Sequence, residues 1–104
     1  MPSMSFTSPL DSGKCATPLA LTAVEASVDF PVDSTTPRPG AGRINLISDV
    51  DWFYSDTPGS GRVMLIAANQ NLVIPFFDNL VIGAATVSGT GTLYAMLMDA
   101  SKVR

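Results

Sequence analysis

Apolar and polar residues alternate along short stretches of the chain, which is the pattern of β-strands that turn one face to a core. Between Thr22 and Phe30 the even positions are mostly apolar and the odd positions mostly polar. This pattern predicts a half-buried strand that ends at Pro31. The stretch 33–42 follows with two prolines and two glycines. It predicts a loop, because proline lacks a backbone donor and glycine favours turns.

Six more apolar stretches follow, and turn residues separate most of them. They are "RINLISD", "VDWFYSD", "RVMLIAA", "NLVIPFF", "NLVIGAATV" and "GTLYAMLMD". The first two are either two short strands or one bent strand. No stretch has a helical stripe, and Gly83, Gly89 and Gly91 would each cost about 1 kcal/mol inside a helix. The sequence therefore predicts an all-β domain over residues 19–104, a single small sandwich or barrel of about seven short antiparallel strands.

Residues 1–18 show no periodic pattern and contain Pro2, Pro9 and Pro18 among Ser, Thr and Gly. Such a composition is typical of segments outside a packed core. We predict an extended N-terminal arm, flexible unless a partner orders it. The arm holds the one cysteine, Cys15, which has only a lysine beside it to stabilise a thiolate. We interpret Cys15 as an incidental thiol rather than a nucleophile.

Two of the predicted strands are apolar on both faces. In the last strand, one face carries Leu93, Ala95 and Leu97, and the other carries Tyr94, Met96 and Met98. Residues 72–77 show the same property, and Pro75 within them predicts an edge strand or a bulge because proline cannot donate to a sheet ladder. A strand buried on both sides would explain this pattern. So would a subunit interface, since interface cores are rich in aromatic residues and Met. The predicted interface residues are Tyr94, Met96, Met98, Pro75 and Phe77.

Charge is scarce in this chain of 104 residues. Charged residues make up 14% and the net charge is −3, against about 25% charged residues in an average soluble domain. A weakly charged surface suits packing against other proteins. The chain has no basic run, so nucleic-acid binding is not expected, and its apolar runs are shorter than the ~20 residues of a membrane span. With a single cysteine and no secretory pattern at the N-terminus, synthesis in a reducing cytoplasm is predicted.

The chain has no histidine, so the commonest general base and metal ligand is absent. No catalytic residue, metal site or cofactor is predicted. Three nearby acids, Asp49, Asp51 and Asp56, could offer oxygen ligands to Ca²⁺, but they lack the glycine and the terminal Glu of an EF-hand loop. We interpret them as solvated loop acids. The cluster of Trp52, Phe53 and Tyr54 could stack on a sugar, although core packing is the simpler interpretation.

Three segments between residues 42 and 98 resemble small virion proteins of tailed bacteriophages. The segments are "GRINLIS..VDWFYSD", "MLIAANQNLVIPF" and "NLVIGAATVSGTGTLYAMLMD", and the most specific piece is "SGTGTLY" at 88–94. The resemblance implies a β-sandwich capsid accessory protein of the decoration or cement type, or a related head or tail component. The ending "AMLMDASKVR" differs from the glycine-rich end of that pattern, so no contact residue is transferred from it.

The resemblance and the apolar surplus together lead to one hypothesis. The protein is expected to be a non-enzymatic part of a phage virion, made in the host cytoplasm, that binds the major capsid protein or other virion proteins. Homo-oligomerisation is expected, with residues 1–18 as a tether that orders on binding, and repetition would multiply weak contacts. The alternatives are a carbohydrate-binding module that uses residues 52–54 and a head-tail or tail accessory protein.

Overall fold

The computed structural model describes residues 3–4, 16, 18–30, 39–77 and 80–102. These residues form eight strands and no helix. The strands are β1 (Leu19–Leu21), β2 (Ala26–Asp29), β3 (Pro39–Ser48), β4 (Trp52–Ser55), β5 (Met64–Ile66), β6 (Leu72–Phe76), β7 (Val81–Thr86) and β8 (Gly91–Lys102). Most are rich in Val, Ile, Leu and aromatic residues, which fit the pleated surface of a sheet.

The strands form two antiparallel sheets of four. The first sheet has the order β1-β8-β3-β6, and the second has the order β2-β7-β4-β5. The prediction of an all-β fold is confirmed, and the arrangement is an open sandwich. The described residues form eight strands where about seven were expected, because the short strand β1 precedes the predicted strand 22–30. The stretches "RINLISD" and "VDWFYSD" are two separate strands in different sheets. Residues 22–25 connect β1 to β2.

The core lies between the inner faces of the two sheets. The long strands β3 and β8 pair over most of their length and form the centre of the first sheet, and Trp52 of β4 contributes the largest side chain of the second. The fully buried apolar side chains include Trp52, Phe76, Leu21, Ile44, Leu46, Ile82, Leu93, Leu97 and Val28. Alternation along each strand determines these positions, because successive side chains point to opposite faces.

Two local predictions are wrong. The alternating stretch 22–30 is strand only from Ala26, since residues 22–25 form a bend in which Val24 is 76% exposed. The Thr22 hydroxyl accepts the Val24 N–H there, so a local side-chain bond replaces the ladder. The predicted loop 33–42 also contains the start of β3, which begins at Pro39 and pairs irregularly with the end of β8. The remainder of that loop lies outside the described residues.

Two residues of the predicted arm belong to the core of the domain. Met4 is fully buried, and its N–H donates to the Asp29 carbonyl beside β2 at 2.9 Å. Ala16 is also buried, and its N–H donates to the Ala95 carbonyl of β8 at 2.9 Å. The other residues of the arm before Pro18, apart from Ser3 beside Met4, lie outside the described residues. For them, including Cys15, the predicted flexible arm and incidental thiol stay predictions.

Candidate docking surface and open groove

The outer face of the first sheet is apolar along β8. Leu93, Ala95 and Leu97 are buried in the core, and their neighbours point outward. Tyr94 is 43% exposed, Met96 37% and Met98 40%. In the isolated chain β8 is thus buried on one side only, so its second apolar face is free to contact something else. An antiparallel strand that leaves this many large apolar side chains in water departs from the usual polar outer face.

The neighbouring strands extend this apolar face. Ile47 of β3 is opposite Tyr94. Asn45 of β3 lies between Met96 of β8 and Val73 of β6, so these three residues form one cross-strand row. Val73 is exposed, as is Pro75 further along β6. We call this set the outer apolar face. It consists of Ile47, Val73, Pro75, Phe77, Tyr94, Met96 and Met98.

Polar groups on this face are few. Of the outward positions in the first sheet whose side chains are described, only Arg43 is charged. Asn45 lies near the middle, where its Nδ2 donates to Asn71 Oδ1 at 2.9 Å. The Asn45 Oδ1 atom is buried without a hydrogen-bond partner among the described residues. The surrounding side chains therefore already exclude water from part of the face.

A register irregularity lies beside Met98. Arg43 pairs with Asp99 while Ile44 pairs with Leu97, so Met98 is the extra residue of a β-bulge in β8. Bulges increase strand twist and redirect side chains. This bulge keeps Met98 on the outer apolar face while Arg43 and Asp99 resume the pairing beyond it.

The structure places the predicted interface residues on one sheet. Tyr94, Met96 and Met98 are on β8, Pro75 is on the edge strand β6, and Phe77, 51% exposed, follows that strand. The edge position predicted from Pro75 is thus observed. Whether these residues contact a partner stays a prediction.

Sequence reasoning did not single out two members of the outer apolar face, Ile47 and Val73. Ile47 faces away from Ile44 and Leu46 in the alternation of β3, and Val73 shares the parity of Pro75 in β6. Alternation was therefore a usable signal for both. Their adjacency to β8 was not predictable, because it depends on the strand order β8-β3-β6.

The outer face of the second sheet is partly covered by the chain itself. The Glu25 side chain lies over the buried Gly83 of β7, where an added Cβ would be 3.0 Å from the Glu25 carboxyl group. The carboxylate accepts the Gly59 N–H at 2.7 Å, which ties the 56–61 turn to this face. The two outer faces therefore differ, and the one on the first sheet is the more open apolar surface.

An open groove of about 580 Å³ lies beside the edge strand β5. It is lined by Tyr54, Asp56, Gly61, Arg62, Val63 and Met64. Burial raises the pKa of the Tyr54 phenol above its usual value, and the negative charge of Asp56 adds to this effect. The groove thus combines an aromatic ring, a carboxylate, a guanidinium group and apolar walls.

The aromatic cluster of β4 does not form one stacking platform. Trp52 is fully buried and meets Tyr54 edge to face, with ring centroids 6.0 Å apart and ring planes at 80°. Phe53 points to the other face of the sheet because successive strand residues alternate. The core interpretation therefore holds for Trp52, and Tyr54 is the member that lines the groove.

The three acids considered for calcium do not act together. Asp49 Oδ1 accepts the Thr92 N–H at 2.8 Å, and Asp51 Oδ1 accepts the Ala68 N–H at 2.8 Å. Asp56 lies at the opposite end of β4. Among the described residues, no group of three or more His, Cys, Asp or Glu side chains could hold a metal ion. Asp49 and Asp51 instead cap backbone groups at strand ends.

Comparisons with known proteins add no relative to this description. No family model matches the chain, and searches of curated proteins and of solved structures find no significant match. In the part of the chain that the structure describes, no helix has the length and hydropathy needed to cross a membrane.

Proposed function

We propose that this protein is a non-enzymatic structural component of a tailed-phage virion, of the decoration or cement type, and that it docks on the capsid shell through the outer apolar face. The resemblance of residues 42–98 to small virion proteins suggests the setting. The observation that carries the docking role is the exposed apolar face of the first sheet. A protein with this role needs no catalytic group.

The composition of the outer apolar face fits a protein partner. Tyr94 provides a rigid amphipathic ring, and Met96 and Met98 have flexible side chains that adapt to the shape of a facing surface. Aromatic residues and Met are enriched in interface cores, and charged residues are depleted there. The matching surface on a shell subunit would be apolar and weakly charged, because a facing charge would lose its hydration without gaining a partner.

A contact through one small sheet also fits a protein that binds a shell in many copies. A face made of one small sheet gives each copy a modest contact, and many copies on a regular lattice multiply such contacts by raising the effective concentration. The scarcity of charge, with a net value of −3, keeps long-range repulsion between neighbouring copies small. A high density of copies is then tolerated.

Met96→Asp tests this proposal. The substitution places a charge in the middle of the outer apolar face, so we expect binding to assembled shells of the major capsid protein from the same genome to fall at least tenfold. Co-sedimentation with shells measures the binding. Val24→Asp is the matched control, since it adds the same charge at a residue that is 76% exposed outside both sheets. Equal binding by wild type and Met96→Asp would contradict the proposal.

A second function rests on the groove beside β5. Its pairing of Tyr54 with Asp56 and Arg62 combines ring stacking with polar side chains that can bind hydroxyl groups, which is the chemistry of a carbohydrate site. Titration with a glycan panel would report binding through Trp52 fluorescence, because the Trp52 ring contacts Tyr54. A response in wild type that is lost in Arg62→Ala would favour this function. An unchanged signal for every glycan would argue against it.

A further inference from the structure

One turn of the second sheet shapes the open groove. The turn 56–61 follows β4, and Asp56 at its start and Arg62 directly after its end both line the groove. The two charged side chains of the groove are therefore held at a separation that the turn determines. A contact that fixes the turn also fixes the groove.

Hydrogen bonds of two serines give this turn its local shape. The buried Ser55 hydroxyl donates to the Thr57 carbonyl at 2.8 Å, and the Ser60 hydroxyl accepts the Arg62 N–H at 3.2 Å. The Ser60 N–H donates to the Thr57 carbonyl at 3.2 Å. Each of these bonds joins residues two or three positions apart, so none of them attaches the turn to a distant part of the chain.

Glu25 attaches the tip of the turn to the rest of the domain. Its carboxylate accepts the Gly59 N–H at 2.7 Å, across 34 positions in the sequence. Gly59 has a φ of 81°, a backbone conformation that favours glycine. A hydrogen bond to an ionised acceptor is stronger than one between neutral groups, so this contact is well suited to hold the tip of the turn in one place.

The bend at residues 22–25 places Glu25 over the second sheet. The Thr22 carbonyl accepts the Thr86 N–H of β7 at 2.9 Å, which attaches the bend to that strand. Gly83 of the same strand has no side chain and leaves room for the Glu25 carboxyl group. The bend, where alternation predicted a strand, thus brings a carboxylate within reach of the turn.

We infer that Glu25 is a positioning residue for the open groove, because its bond to Gly59 fixes the turn that separates the two charged groups of the groove. The inference concerns the shape of the groove before any ligand binds. It therefore goes beyond both functions proposed above and depends on neither of them.

Loss of the Glu25 contact should loosen the groove without unfolding the sheet. The pairing of β4 with β5 and β7 does not involve Glu25, and the serine bonds within the turn remain. The tip of the turn can then move about its two ends. Such motion admits water to the groove side of Tyr54 and changes the distance between its phenol and the Asp56 carboxylate.

Tyr54 reports the shape of the groove without a ligand. Burial, and secondarily the charge of Asp56, raises the pKa of its phenol in the folded protein, and both residues line the groove. The chain has only two tyrosines, so in a Tyr94→Phe background the ultraviolet absorbance of tyrosinate reports Tyr54 alone. A looser groove should lower the titration midpoint toward the ordinary value of about 10.

Three substitutions at Glu25, each made in the Tyr94→Phe background, separate the reach of the side chain from its charge. Glu25→Gln keeps an oxygen acceptor at the same reach and removes the charge. Glu25→Asp keeps the charge but is one methylene group shorter, so its carboxylate no longer lies within hydrogen-bond distance of the Gly59 N–H. Glu25→Ala removes both. We expect the Tyr54 midpoint to stay near that of the parent protein in Glu25→Gln and to fall in the other two variants.

Amide hydrogen exchange at Gly59 checks the contact itself, and it should be faster in Glu25→Asp and Glu25→Ala than in the parent protein. Val24→Ala is the control, since it changes the same bend and should alter neither measurement. Circular dichroism confirms that each variant is folded during the titration. A midpoint or a Gly59 exchange rate that stays unchanged in Glu25→Ala would overturn the inference. A midpoint that falls equally in Glu25→Gln and Glu25→Ala would also overturn it, because the charge of Glu25 would then be the cause.

Discussion

Gly91, the first residue of β8, lies against the side chain of Val50. A Cβ atom added at Gly91 would overlap Val50 Cγ2, and a β-branched side chain has few other rotamers to adopt. We predict that Gly91→Ala lowers the free energy of unfolding by about 1–3 kcal/mol, the usual range for overpacking. Chemical denaturation of the two proteins measures the difference.

A double-mutant cycle separates this overlap from other effects of Gly91→Ala. In a Val50→Ala background the obstructing methyl group is gone, so Gly91→Ala should cost less than about 0.5 kcal/mol there. The same cost in both backgrounds would mean that loss of backbone freedom, rather than contact with Val50, explains why glycine occupies this position.

Tyr54 makes stability depend on pH in alkaline solution. Burial, together with the charge of Asp56, raises the pKa of its phenol in the folded protein. The unfolded chain, with a phenol pKa of about 10, then loses the proton first. The stabilisation is complete below pH 10 and is lost as the pH rises through the higher pKa of the folded state. Unfolding free energies measured from pH 8 upward should show the decline.

Tyr54→Phe is the control for this pH dependence, since it removes the phenol and keeps the ring. The difference in unfolding free energy between wild type and Tyr54→Phe should be constant below pH 10 and should fall above it. A difference that does not change with pH would exclude Tyr54 as the source. Deprotonation of lysines affects both proteins equally and cancels.

For single residues, the sequence predicted the direction in which a side chain points better than the surroundings that the side chain meets. Alternation in β8 correctly separated buried Leu97 from exposed Met96. The same rule placed Trp52 and Tyr54 on one face, yet Trp52 is fully buried while Tyr54 lines a groove. That difference depends on which parts of the fold pack against each residue, and no local pattern encodes this. Met4 was missed because a single buried residue among prolines and serines creates no periodicity.

Among the strands, Asp49 connects the end of β3 to the start of β8. Its carboxylate accepts the Thr92 N–H at 2.8 Å, and its own N–H donates to the Thr92 carbonyl at 3.3 Å. We predict that Asp49→Ala costs about 1 kcal/mol, the net value of a typical hydrogen bond. Amide hydrogen exchange should show faster exchange at Thr92 in this variant.

The Ala68 amide serves as an internal reference in that experiment. It is held by Asp51, so its exchange rate should be the same in wild type and in Asp49→Ala. Asp49→Asn retains a side-chain oxygen acceptor and should protect Thr92 more than Asp49→Ala does. Equal exchange at Thr92 in all three proteins would show that the Asp49 side chain does not protect this amide.

Strand existence was largely predictable, and strand boundaries and partners were not. Val, Ile and aromatic residues marked most of the strands, and Pro75 correctly indicated an edge. The bend at residues 22–25 was missed because its alternation matches that of a strand, although hydrogen bonds of the Thr22 side chain replace the ladder there. The start of β3 at Pro39 was missed because pairing with β8, a contact distant in sequence, overrides the turn preference of proline and glycine.

For the molecule as a whole, the main question is whether the N-terminal segment belongs to the domain or to its contacts with other proteins. Met4 is fully buried in the core formed by both sheets. We predict that Met4→Ala lowers the free energy of unfolding by about 2–3 kcal/mol, as expected for truncating a buried methionine. Shell binding, measured below the thermal transition, should be unchanged, because Met4 is not on the outer apolar face.

Met96→Asp should show the opposite combination, with weaker shell binding and nearly unchanged stability. Measuring both quantities for both variants thus separates a packing role from a docking role. If Met4→Ala left stability unchanged and weakened shell binding, the beginning of the chain would act as a tether rather than as part of the core. The burial of Met4 and the hydrogen bond from its N–H to Asp29 favour the packing role, because a side chain inside the core cannot reach a partner while the domain stays folded.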